Sequence, residues 1–315
     1  MQELVIFATT ASAIVLEAAP FLLLGSLIGA LIEVLVSEQA LLRLIPKNGL
    51  GQVAVGVFAG MLLPTCECGI VPVARRLLLK NVPPRAAIPY MMAAPVVNPV
   101  VIASTLFAFQ GDLKITALRL LLVLIPAVAL GLALGDASAA DILRQRPADL
   151  KKYNEAEAAH LPLDHDHGPG CACGCSGHHS HGNKWLAILR HTATEFLSMA
   201  RFLVFGGIVA AAFKTFLPPE ILAAFTGSPA LAIAGLMLLA VLLSICSEAD
   251  AFVAASFTAF PVMAKVAFLS VGAMVDLKLI PLFFAVFRRR VALALVLVPI
   301  VAVYAVGVTL AMGGF

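Results

Sequence analysis

Charge is what this sequence has least of. Only 12% of its 315 residues are Asp, Glu, Lys or Arg, against 61% apolar, and the mean hydropathy is +1.01. Soluble domains are about a quarter charged and close to half apolar. A soluble globular chain is therefore excluded, and the composition belongs to the membrane class. The net charge of +3 and the lack of a long basic face exclude a nucleic-acid partner. No Gly-x-x-x-x-Gly-Lys-Ser/Thr pattern is present, and no soluble segment of domain size. The chain thus has no nucleotide site of its own, and any transport must draw on an ion gradient or a partner subunit. It does not read as an enzyme. The start, Met1 to Thr10, lacks a basic n-region and a small-residue cleavage site, so it is expected to be a retained first span. The six cysteines do not make a secreted disulfide pattern. Cys171, Cys173 and Cys175 crowd together and Cys66 stands beside Cys68, a spacing that suits metal ligation or thiol chemistry on the reducing side of a membrane.

Long apolar runs fill most of the rest. A helical span needs about 20 mostly apolar residues. The candidates are Leu4 to Ile32, Gly51 to Leu79, Ala86 to Phe109, Ile115 to Leu134, Trp185 to Leu217, Ala230 to Ala259, Val266 to Phe287 and Val291 to Met312. The expected fold is an all-α polytopic membrane protein of about eight transmembrane helices. Residues 1–135 form a first transmembrane repeat, 136–184 a loop, and 185–315 a second repeat. Small residues four apart, Gly25/Gly29, Gly56/Gly60 and Gly131/Gly135, are read as points of close helix packing.

Four of these spans carry defects at mid-depth. The second contains Pro64-Thr65-Cys66-Glu67-Cys68-Gly69, and the sixth Ser244-Ile245-Cys246-Ser247-Glu248-Ala249-Asp250. The third is interrupted at Asn98-Pro99, and the seventh at Gly272 to Asp276 with Lys278 beyond. Irregular backbone at this depth must line a cavity or be buried in protein. The defects recur at a near-constant offset, with Glu17 matching Glu195, Cys66-Glu67-Cys68 matching Cys246-Ser247-Glu248, and Asn98 matching Asp276. Two related four-helix halves with discontinuous helices at their interface are expected. Four full spans per half make the repeat parallel; a re-entrant hairpin at Cys66 makes it inverted.

An ionisable group inside a span costs about 2.5–3.5 kcal/mol on insertion scales and usually marks a pathway. The expected translocation centre is therefore Cys66, Glu67, Cys68, Asn98, Cys246, Glu248, Asp250 and Asp276. Sulfurs would take the cargo, and carboxylates would supply charge or carry protons. Asp276 and Lys278 could also neutralise each other. Glu17 and Glu195 read either as proton carriers or as structural partners of Arg119 or Arg201.

The loop holds six histidines and three cysteines in a short stretch: His160, His165, His167, Cys171, Cys173, Cys175, His178, His179 and His181. Imidazoles and thiolates are the ligands of soft and borderline cations, so the loop is expected to bind Zn, Cu or another soft metal ion. No cofactor is obligatory. Lying outside the spans, the loop would acquire or sense metal. Positive-inside counting slightly favours a cytoplasmic loop, but with eight spans Arg43, Lys47 and Arg288-Arg289-Arg290 fall on the opposite side.

The stretch Leu63 to Val73, the Ala94 to Pro99 break and Cys246-Ser247-Glu248-Ala249-Asp250 resemble a bacterial predicted-permease family that includes organoarsenical and copper/zinc efflux permeases. Those relatives tend to have Cys-Ser-Cys-Gly; Glu67 replaces the serine here, and Asn98-Pro99 stands in the next helix. The chain is more similar to a two-component branch. The resemblance implies a bacterial inner-membrane, multi-pass permease with a smaller companion membrane subunit; a homo-oligomer is left open. The leading expectation is a secondary permease exporting a thiophilic metal ion or metalloid. The alternatives are a transmembrane thiol or electron carrier using Cys66, Cys68 and Cys246, and a metal-delivering subunit of a two-component complex.

Overall fold

The computed structural model describes residues 2–35, 45–62, 67–135, 137–144, 184–216 and 228–313. Among these, the regular elements are helices: α1 Gln2–Leu35, α2 Gly49–Leu62, α3 Glu67–Leu79, α4 Pro84–Val97, α5 Pro99–Ala108, α6 Leu113–Ala133 and α7 Ala139–Ile142. After the loop come α8 Lys184–Phe216, α9 Pro229–Leu243, α10 Asp250–Ser256, α11 Val262–Gly272, α12 Leu279–Val286 and α13 Arg289–Met312. Among the described residues, three stretches are long and apolar enough to cross a bilayer by length and composition alone: Pro84–Ala108, Leu113–Ala133 and Arg289–Met312. The long helices α1 and α8, of 34 and 33 residues, pack against each other. Each is about 50 Å at 1.5 Å rise per residue.

Every apolar segment with a mid-depth defect is built as two shorter helices. Gly51 to Leu79 supplies α2 and α3, Ala86 to Phe109 supplies α4 and α5, Ala230 to Ala259 supplies α9 and α10, and Val266 to Phe287 supplies α11 and α12. The local causes can be named. Pro99 drives Asn98 out of the helical region, to φ −57° and ψ 129°. Asn98 then caps the next helix: its Oδ1 accepts the Val100 N–H at 2.9 Å and its carbonyl accepts the Ile102 N–H at 3.0 Å. Asn98→Ala is expected to cost about 1 kcal/mol, read as a lower melting temperature, with Asn98→Asp retaining the cap. At the end of α9, Ser244 adopts φ 49°, a left-handed conformation unusual for a residue with a Cβ. Its hydroxyl accepts the Leu277 N–H at 3.2 Å, which joins the α9 break to the α11–α12 break.

Close contacts settle how the first segments run. A Cβ on Gly49 would meet the Arg85 guanidinium, one on Gly56 the Ala86 backbone, and one on Gly60 the Ala94 Cα at 2.6 Å. Helices α2 and α4 therefore run side by side in one direction, and α3 must carry the chain back between them. Gly51 to Leu79 doubles back where the count of eight took it as one crossing. Gly135, just after α6, also abuts Arg85, so the starts of α2 and α4 and the end of α6 share one end of the bundle.

A second contact fixes the charge distribution. Leu143 and Phe287 form an isolated antiparallel bridge, with Arg144 N–H to Val286 O and Arg288 N–H to Ile142 O both 2.9 Å. The Arg144 side chain adds a bond to the Phe284 carbonyl at 3.1 Å. Arg288, Arg289 and Arg290 thus begin beside the segment that enters the central loop. The expectation that they lie on the side opposite the loop is overturned by this bridge, which sets Arg288 beside Arg144 at the entry to the loop.

Candidate functional site

The breaks converge on five buried charged side chains. Glu67, Arg119, Asp250, Asp276 and Lys278 are 1%, 1%, 2%, 0% and 6% exposed. Each is placed by a local feature. Glu67 opens α3, where the helix dipole favours an anion. Arg119 lies on α6, Asp250 opens α10, and Asp276 and Lys278 lie just before α12.

Two ion pairs link the first and second parts of the chain. The Arg119 guanidinium donates to Asp250 Oδ2 at 2.7 Å, to Thr105 Oγ1 at 2.7 Å and to the Ser247 carbonyl at 3.2 Å. Lys278 Nζ lies 3.4 Å from Asp276 Oδ2 and 4.0 Å from Glu67 Oε2. The peptide of Ser247 joins the pairs, since its N–H donates to Glu67 Oε1 at 2.8 Å while its carbonyl accepts from Arg119. Lys278 lies between Asp276 and Glu67, and the Ser247 peptide ties Glu67 to the Arg119–Asp250 pair, so these groups form one connected cluster. Ser270, also buried, bonds the Val266 and Arg119 carbonyls from α11 and so braces α6. Such a cluster in a water-excluded interior is costly unless paired, and the pairing here requires both parts of the chain.

A family profile described as Predicted permease matches residues 3–312. The chain belongs to this permease family. A Streptococcus mutans protein named as a subunit of a two-component membrane permease complex is 36% identical over 286 residues, covering 90% of this chain and 87% of the relative. The Bacillus subtilis protein named UPF0718 protein YcgR is 35% identical over 293 residues, covering 93% and 92%. No solved structure gives a significant match.

In this permease the residues singled out from sequence fall into three groups. Glu67, Asp250 and Asp276 are in the buried cluster. Asn98 is buried at its break as a helix cap, while Cys246 and Glu248 are half-buried in the segment between α9 and α10. Cys66, the side chains of Cys68, Glu17 and Glu195, and all nine loop residues from His160 to His181 lie outside the described residues. Among the described residues no three His, Cys, Asp or Glu side chains are grouped to hold a metal ion.

Arg119 and Lys278 complete the cluster and were not among the expected site residues. Arg119 pairs with Asp250, where sequence reading had considered Glu17 or Glu195. A signal existed: Arg119 stands within the 21-residue apolar α6, and an arginine there demands a buried partner.

Proposed function

We propose that this chain is the translocating subunit of a secondary permease, and that its path runs through the broken-helix centre at Glu67, Arg119, Asp250, Asp276 and Lys278. The observation that carries this is the pair of buried ion pairs, Arg119–Asp250 and Lys278–Glu67, which join α6 and the start of α3 to the helix breaks at Asp250 and Lys278. Access from alternate sides would require those breaks to move apart and the pairs to exchange partners. The proposed cargo is a thiophilic metal ion or metalloid, moved outward, with Cys246, Cys66 and Cys68 offering sulfur beside the cluster. The loop cysteines and histidines would capture or sense metal. A smaller companion subunit is part of this reading, supported by the name of the Streptococcus relative.

The proposed topology has two inverted halves. Each has a full helix, a doubled-back pair, an interrupted helix and a second full helix. The parallel run of α2 and α4 supports this in the first half. In the second, a Cβ on Gly272 at the end of α11 would lie 3.4 Å from Ala240 near the end of α9. Arg85, Arg144 and Arg288 then share the loop's side, which favours a cytoplasmic loop in the inner membrane.

Inside-out vesicles from cells expressing the chain with its companion test the cargo. Accumulation of Zn(II), Cu(I) or arsenite above empty-vector vesicles is expected. Cys246→Ser should lower the initial rate about 10-fold, a loss of about 1.4 kcal/mol in the transport barrier. No accumulation of any of the three would sink the cargo assignment. Wild-type rates in Cys246→Ser and Cys68→Ser together would sink the sulfur site.

A further inference from the structure

Helix α13 has two distinct faces. Ala292, Leu295, Pro299, Val303 and Gly307 are buried, and the helix packs on α6, α9, α11 and α12. On the other face Leu293, Leu297, Val301 and Tyr304 are exposed. At 3.6 residues per turn, all four lie within about 60° of Arg290 around the helix axis. An arginine therefore heads an exposed apolar stripe. From Arg290 to Val301 the helix rises about 16 Å, close to the depth of about 15 Å of one hydrocarbon leaflet.

The head of the stripe is a group of four exposed arginines. Arg288, Arg289 and Arg290 lead into α13, and the Leu143–Phe287 bridge sets Arg144 beside them. Backbone carbonyls hold two of the side chains in place: Arg144 donates to Phe284 O at 3.1 Å, and Arg288 Nε donates to Leu143 O at 3.3 Å. A guanidinium has five N–H donors, so both keep most of theirs for a ligand. Asp141 on α7 lies within reach of the Arg288 charge, but its Oδ2 is taken up by the N–H and hydroxyl of Ser138. The helix itself gains nothing from these charges, because cations at its N-terminal end oppose the dipole. Arg85 lies at the same end of the bundle, beside Gly49 and Gly135.

We propose that Arg144, Arg288, Arg289 and Arg290 bind the phosphate headgroup of an anionic phospholipid whose acyl chains lie along Leu293, Leu297 and Val301. Guanidinium forks match phosphate oxygens in bidentate geometry. Charge complementarity selects an anionic over a zwitterionic headgroup, and the apolar stripe below the arginines selects a lipid over a free anion. The headgroup would also fasten elements together. Arg144 ties the segment before the loop to α12, and the other three arginines stand at the start of α13. Binding should therefore stabilise the folded chain. The inference does not rest on the permease reading or on any cargo.

Two photoactivatable lipids with the same diazirine acyl chain, one phosphatidylglycerol and one phosphatidylcholine, test this on the purified full-length chain. Trypsin cleaves after Arg290 and releases residues 291–315 as one peptide, since no Lys or Arg follows. The phosphatidylglycerol probe should label this peptide about 5-fold more strongly, or more, for each arginine engaged. Phosphatidylglycerol in mixed micelles should also raise the melting temperature several degrees above phosphatidylcholine. Arg289→Gln combined with Arg290→Gln should remove that increment and leave the phosphatidylcholine value unchanged. Lys114→Gln, at the other end of α6, should keep it. Equal labelling by the two probes overturns the proposal, and it decides the matter if the double variant does not fold. An increment that survives the double variant, is lost equally in Lys114→Gln, or is reproduced by inorganic phosphate overturns it too. Loss of labelling when the chain is purified with its companion subunit would give this face to that subunit instead.

Discussion

Replacing Arg119 by methionine is expected to destabilise the folded chain by about 3–5 kcal/mol, the usual cost of removing one partner from a buried ion pair. The side chain is 1% exposed and its guanidinium holds Asp250, Thr105 and the Ser247 carbonyl at once. Without it Asp250 loses its ion-pair partner in a site closed to water. Thr105 keeps its own bond to the Val101 carbonyl, so the loss falls mainly on Asp250. The measurement is the midpoint of thermal or denaturant unfolding in detergent, beside the yield of folded protein. Adding Asp250→Leu to Arg119→Met should recover much of the loss, because a hydrophobic pair in place of a buried ion pair is often neutral or stabilising. A double variant as unstable as the sum of the singles would show that the two side chains do not act as a pair. The double variant should stay inactive in transport, which separates the stability role of the pair from its proposed functional one.

The second large effect is expected at Gly25. A Cβ there would meet the Cα and carbonyl oxygen of Gly69 on α3. Both neighbours are backbone, so neither can swing aside, and α1 would have to move off α3 as a unit. Gly25→Ala is expected to cost about 1–3 kcal/mol through overpacking, enough to lower the melting temperature by several degrees. Gly69 is two residues from Glu67, so the displacement reaches the charge cluster as well. Gly313→Ala is the control: its Cβ would find its nearest neighbours at 3.5 Å, and its melting temperature should match the wild type. A Gly25→Ala variant that melts with the wild type would show that α1 and α3 are not in this contact in the membrane.

Much of this was legible in the residues themselves. Apolar runs broken by Asn98-Pro99 and by the Cys246 to Asp250 stretch announce interrupted helices, because each local choice is unfavourable in a continuous helix. Glu67, Asp250 and Asp276 stand out in the sequence by their cost in an apolar setting, and the structure buries all three. Arg119 carries the same signal, but its partner was not legible, because that partner is 131 residues away along the chain. The capping role of Asp276, whose Oδ1 accepts the Lys278 and Leu279 N–H groups, was equally hidden, since it depends on where α12 begins.

The sequence by itself determined that this is a helical membrane protein, where its helices break, and which ionisable residues are too costly at those depths to be incidental. These are consequences of local composition and backbone preference, and they act over a few residues. Only the tertiary structure decided that the Gly51 to Leu79 segment doubles back, that Arg288 lies beside the entry to the loop, and that five charges from distant segments close into one cluster. Those outcomes depend on which helix faces which. That is set by glycine contacts such as Gly56 on Ala86, and by charge pairing across more than a hundred residues, which no local pattern encodes.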